Sequence, residues 1–220
     1  MTADDWDNGR SLSQLLFNRF TALAFRRLRL FGVACCRSVE HIIEDPRLRQ
    51  AIDRAELYAD ARLKPSTLAQ WRRVAGKRWV ATRNLQPIPP DAPISLAVED
   101  ACRPDTDGHL TWSWARLAQR AELLSIGTPA EIEQRSLTAL RDIFGNPFRP
   151  VAFDPRWRSE SAVALARTAY DTRNFALLPI LADALEEAGC DHADILSHCR
   201  DQKAVHARGC WVVDLVLSKS

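Results

Sequence analysis

The apolar residues of this chain recur at helical spacing. Phe17, Phe20, Ala24, Leu28, Phe31 and Cys35 fall on one face of a single helix, since each residue advances the spiral by about 100°. The same periodicity predicts helices over 46–62, 66–82, 93–102, 110–125, 129–143, 156–172, 175–187 and 192–200. Several starts are marked chemically. Asp45-Pro46, Thr128-Pro129 and Asp154-Pro155 each set a capping side chain before a proline, whose missing N–H costs nothing at the first helical position. Thr128 is followed by Glu131, the spacing of a reciprocal capping box. No segment alternates with the period of a strand. Only the closing "CWVVDLVLSKS" stays open between helix and strand, because valines crowd it. The expected fold is all-α, about ten helices in a compact bundle-like arrangement, with two tightly packed subdomains as a variant.

Two breaks interrupt the helical pattern. "NLQPIPPDAP" (84–93) holds four prolines and predicts an extended connector. "FGNPFRPVAFDP" (144–155) begins with a helix stop at Gly145 and carries Phe144, Phe148 and Phe153 between its prolines. Rings of that kind predict a loop packed down on the body, not a free linker. The breaks suggest a basic N-terminal helical part over 1–83, a proline-rich connector with helices over 84–127, and a C-terminal helical part over 128–220.

At 220 residues, 46% of them hydrophobic, the chain can bury a core without disulfides or metals. The start, "MTADDWDNGR", is acidic, and no apolar run approaches the roughly 18 residues of a membrane span. The expected setting is cytoplasmic, with no membrane partner and all six cysteines as reduced thiols. Charge is uneven along the chain. Residues 10–83 carry sixteen basic side chains against six acidic ones, whereas 84–220 carry fourteen against nineteen. The favoured expectation is that the two parts dock on each other. The sharper alternative is a nucleic-acid-binding face built from Arg26 and Arg29 with Arg72, Arg73, Lys77, Arg78 and Arg83 of "WRRVAGKRWVATR". Acids interleaved between these stretches favour a salt-bridged surface, and no helix-turn-helix, RRM or KH signature accompanies the cations.

Longer strings carry a resemblance. "RLRLFGVACCRSVEH" and "AIDRAELYADAR", then "LRDIFGNPFRPVAFDPRW", "ILADALEEAGCDHADILSHCR" and "HARGCWVVDLVL", resemble an uncharacterised family of planctomycete proteins. The resemblance covers most of the chain, least over about 84–125. It implies a bacterial setting and kinship, and no activity, cofactor or ligand.

Chemistry concentrates in "GCDHADILSHCRDQKAVHARGC" (189–210), with three of the six cysteines and three of the five histidines. The closest approach to a zinc set is Cys190, Cys199, His206 and Cys210, spaced C-x8-C-x6-H-x3-C. Only the last interval is familiar, and no CxxC knuckle exists. With Ile195 and Leu196 facing inward, Cys199 turns to the core and His198 lies about 100° away, so the adjacent pair does not easily share one ion. Buried metal-free thiols gathered where two helix ends meet are the expectation, and a zinc-stabilised module is the alternative. Gly189 should end one helix and Asp191 should cap the next. Asp214, inside "WVVDLVL", should be buried and paired with an arginine. No phosphate-binding glycine loop, G-x-S-x-G elbow or H-E-x-x-H motif is present, so no catalytic residue is assigned. The expected function is a non-enzymatic interaction or scaffold module whose partner is another protein.

Overall fold

The computed structural model describes residues 2–9, 11–12, 15, 25–104 and 127–219. Among them stand ten α-helices and no strand: α1 (Ala3–Asn8), α2 (Phe25–Ser38), α3 (Pro46–Ala59), α4 (Pro65–Thr82), α5 (Ile94–Ala101), α6 (Pro129–Phe144), α7 (Glu160–Thr172), α8 (Leu178–Glu187), α9 (Ala193–Arg200) and α10 (Trp211–Val216). The all-α expectation therefore holds. The helix expected over 110–125 and the Phe17–Ala24 part of the first apolar face lie outside the described residues.

Chain contacts group residues into two units. One is Gly9–Leu137, and the other joins Met1–Asn8 to Thr138–Ser220. In the first unit α2 packs on α3 and α5, and α4 packs on α3 and α5. Leu28, Phe31 and Cys35 are buried as their spacing predicts, and Cys36 is buried beside them. Asp45 caps α3 by accepting from Arg47 N, and its own N–H donates to Asp91. Thr128 and Glu131 form the reciprocal box at the start of α6, with N–H to side-chain distances of 2.8 and 3.2 Å.

In the second unit α8 packs on α7 and α9, and α10 packs on α7 and α9. Ala166, Leu181, Leu185, Ile195, Cys199 and Val213 belong to its core. The loop after α6 is packed down as expected. Phe144 is buried, and Phe153 meets Trp157 edge-on with ring centroids 5.3 Å apart. Helix α1 is held to this unit by Arg141, whose Nε donates to the Trp6 carbonyl, and by Asn146, which donates to Ala3 and Asp7. The valine-rich closing segment is helical, and Asp214 within it is fully buried.

Two expected caps differ. Asp154 caps only the 3-10 turn Pro155–Trp157, and α7 begins later, where the Ser159 hydroxyl accepts from Ala162 N. A second capping residue five positions on competes successfully for the helix start. Before α9 the cap position falls on His192, which makes no side-chain cap bond, and not on Asp191.

Gly189 does end α8. Its φ is +89°, and Cys190 N donates to Leu185 O across it at 2.9 Å, the six-to-one bond of a Schellman turn. A Cβ placed there meets nothing within 4 Å, so only backbone conformation opposes a side chain. Gly189→Ala is expected to cost about 1 kcal/mol. Urea unfolding checks it: the midpoint should fall with the slope unchanged, and an unchanged midpoint would show that the turn is not held left-handed.

Among the described residues no helix is long and apolar enough to cross a membrane.

Candidate metal centre

Four side chains of the second unit come to a common point. Asp142 comes from the last turn of α6, His198 from the last turn of α9, His206 from the loop 201–210, and Cys210 from the residue that opens α10. The loop is shaped by its own sequence. The Asp201 carboxylate accepts from Lys203 N in an Asx turn, Cys210 N donates to Ala207 O, and Gly209 takes a φ of +95° just before Cys210. One candidate donor atom from each of the four side chains lies within 4.8 Å of every other.

The individual contacts are closer. His206 Nδ1 is 2.7 Å from Asp142 Oδ1. His198 Nε2 is 3.3 Å from the same oxygen and 3.2 Å from Cys210 Sγ. Ala207 N donates to Asp142 Oδ2 at 2.8 Å, and Trp211 Nε1 donates to His198 Nδ1 at 3.2 Å. The imidazole rings of His198 and His206 meet edge-on with centroids 4.9 Å apart. The site is closed. Side-chain exposure is 4% for Asp142, 6% for His206 and 18% for His198, and Cys210 is wholly buried.

Burial sets the electrostatics. It pushes the Asp142 carboxyl upward, but hydrogen bonds and charge from His198 and His206 outweigh it and hold the group below its ordinary value. Burial drives the Cys210 thiol well above its ordinary range, and Asp142 adds to this, against partial relief from the N–H groups of Val213 and Val212. Cys199 is pushed up to about 12, by burial first and then by Asp142 and Cys190. Thiols so raised stay protonated unless a cation stands beside them.

Two chemistries use cysteine, histidine and aspartate together. A nucleophilic triad needs the imidazole to face the thiol with one nitrogen and the carboxylate with the other. Here Nε2 of His198 faces both, its Nδ1 is occupied by Trp211, and the sulfur has no solvent exposure. Metal ligation fits better. Ligands held tetrahedrally by zinc at about 2.0–2.3 Å stand about 3.3–3.6 Å apart. The 3.3 Å contact of His198 with Asp142 already matches that edge, and the 3.2 Å contact with the Cys210 sulfur must lengthen by about 0.3 Å. The 2.7 Å contact between His206 and Asp142 is a hydrogen bond and must open by about 0.6 Å to admit an ion. One carboxylate, one thiolate and two neutral imidazoles around a divalent cation also sum to zero charge, which suits a buried position.

The sequence-expected ligands divide evenly. His206 and Cys210 are in the converging group; Cys190 and Cys199 are not, and Asp142 and His198 stand in their place. The helical-face argument explains half of this, since Cys199 does turn into the core. His198 escapes the solvent because the loop 201–210 returns across its face and delivers Cys210 to it. Asp142 lies 56 positions before His198 in the chain. A signal for it existed, because an acid in the last turn of a helix sits where the helix dipole opposes it and so must be held by other partners.

The basic candidates are located in the first unit. Arg26 pairs with Asp60, Arg72 with Glu99 and Arg78 with Asp91. Arg29 is buried, donating to Ala101 O and lying over the Tyr58 ring. Arg73 and Lys77 on α4, and Arg83 just past its end, are exposed. Three of the seven cations that the sequence offered are therefore exposed.

No family model, curated protein or solved structure matches the chain.

Proposed function

We propose that the C-terminal unit is a zinc-stabilised helical module in which Asp142, His198, His206 and Cys210 hold one ion of the zinc class. The observation that carries this reading is the convergence of four donors of three chemical kinds, from α6, α9 and the loop that leads into α10, within 4.8 Å. The mixed oxygen, nitrogen and sulfur set suits a borderline-soft tetrahedral ion and not the oxygen shell of calcium or magnesium. Four protein ligands leave no open position, which supports a structural role over a hydrolytic one. An ion there would tie α6, α9, α10 and the loop 201–210 together, the use expected in a non-enzymatic interaction module whose partner is another protein.

Elemental analysis of protein purified without a metal-affinity tag tests it. About one zinc per chain is expected, lost in Cys210→Ser and retained in Cys199→Ala. A trace below stoichiometry, indifferent to Cys210→Ser, would refute the reading.

A further inference from the structure

We infer that Trp211 opposes metal entry, so that occupancy of the site and the Trp211–His198 hydrogen bond exclude each other. This rests on the zinc reading above and adds a regulatory property to it: the ion is taken up against a built-in competitor, and its arrival moves the first residue of α10.

The inference follows from which partners can donate. An indole N–H only donates. It stands 3.2 Å from His198 Nδ1, so that nitrogen is the acceptor and carries no proton. The ring proton of the neutral imidazole is then on Nε2, directed at Asp142 Oδ1 and Cys210 Sγ. A neutral imidazole that ligates a metal through Nε2 must instead carry its proton on Nδ1, and it ordinarily gives that proton to a carboxylate, a carbonyl or water. Trp211 can offer none of these. Loading the ion therefore moves the ring proton from Nε2 to Nδ1 through solvent and sets two donors face to face. The indole has to turn away.

Its surroundings transmit the turn. The Trp211 ring lies against Gly145, where a Cβ would come within 3.2 Å of indole Cγ and Cδ2. Gly145 has a φ of +63° and closes α6 through a bond from its N–H to Arg141 O. Asp142 belongs to the same final turn. Movement of the indole thus acts on the backbone that carries one ligand and on the helix start that carries another.

Competition against a chromophoric zinc chelator, on the full chain and on Trp211→Phe, tests this. The phenylalanine variant lacks the competing donor, so it should bind zinc about five- to tenfold more tightly, the worth of one such hydrogen bond. It should also lose a change in tryptophan emission that the parent chain shows on zinc addition. Equal or weaker binding by Trp211→Phe would overturn the inference while leaving the zinc reading intact. Failure of both chains to bind zinc would sink the zinc reading and this inference with it. A second measurement needs no variant: nitrogen-15 spectra of the imidazoles should place the His198 proton on Nε2 without zinc and on Nδ1 with it. An Nδ1 that stays unprotonated in the zinc-loaded chain would overturn the inference.

Discussion

Replacing Asp142 by alanine should destabilise the C-terminal unit by about 3 kcal/mol or more and abolish zinc binding together with it. The carboxylate is buried and receives the His206 ring, the His198 ring and the Ala207 N–H. Its loss strands those donors where little water can reach them. It also removes the only oxygen ligand and half of the negative charge that balances the ion. Urea unfolding, run with and without a chelator, measures both effects. In the parent chain the chelator should lower the midpoint, because binding energy is folding energy at a site that exists only in the fold. In Asp142→Ala it should change nothing. A variant as stable as the parent would show that Asp142 bears no weight.

Asp214→Ala should cost a similar amount, again about 3 kcal/mol or more, by a different route. Asp214 is wholly buried in α10 and is not without a partner. Arg208 and Lys219, each with its charge 4.4 Å from the Tyr170 ring centroid, place two cations in the same unit. Removing a buried carboxylate leaves its partner uncompensated, and that penalty exceeds the worth of the contact itself. The folded fraction of this variant should still hold one zinc per chain, which separates it from Asp142→Ala. An unchanged melting temperature would contradict the expectation.

The contrast between these two aspartates shows what was legible in the sequence. Asp214 stood out because valines and leucines flank it on both sides, so burial followed from local pattern alone. Asp142 sits in "LRDIFG", where an arginine beside it makes a solvated helix end the simpler local account. Its role depends on a loop more than sixty positions later, and no local periodicity encodes such a return. The helices themselves were legible wherever caps and glycines agree with apolar spacing, as at Asp45, Thr128 and Gly189. They were misplaced where two caps compete, as at Asp154 and Ser159. The candidate cluster was half legible for the same physical reason. His206 and Cys210 share one short loop, and helical rotation correctly separated Cys199 from His198. Which of those two would face the other ligands was decided by tertiary contact, since only the fold places Asp142 and Cys210 on the His198 side.

The central claim is that Asp142, His198, His206 and Cys210 bind one ion together, and X-ray absorption at the zinc edge tests it most directly. Zinc-loaded protein should show one sulfur at about 2.3 Å and three nitrogen or oxygen neighbours at about 2.0–2.1 Å, with the sulfur lost in Cys210→Ser. Two or more sulfurs would move the site to Cys190 and Cys199, and a shell of six oxygens would mean that zinc is bound elsewhere on the surface; either result contradicts the four-residue centre.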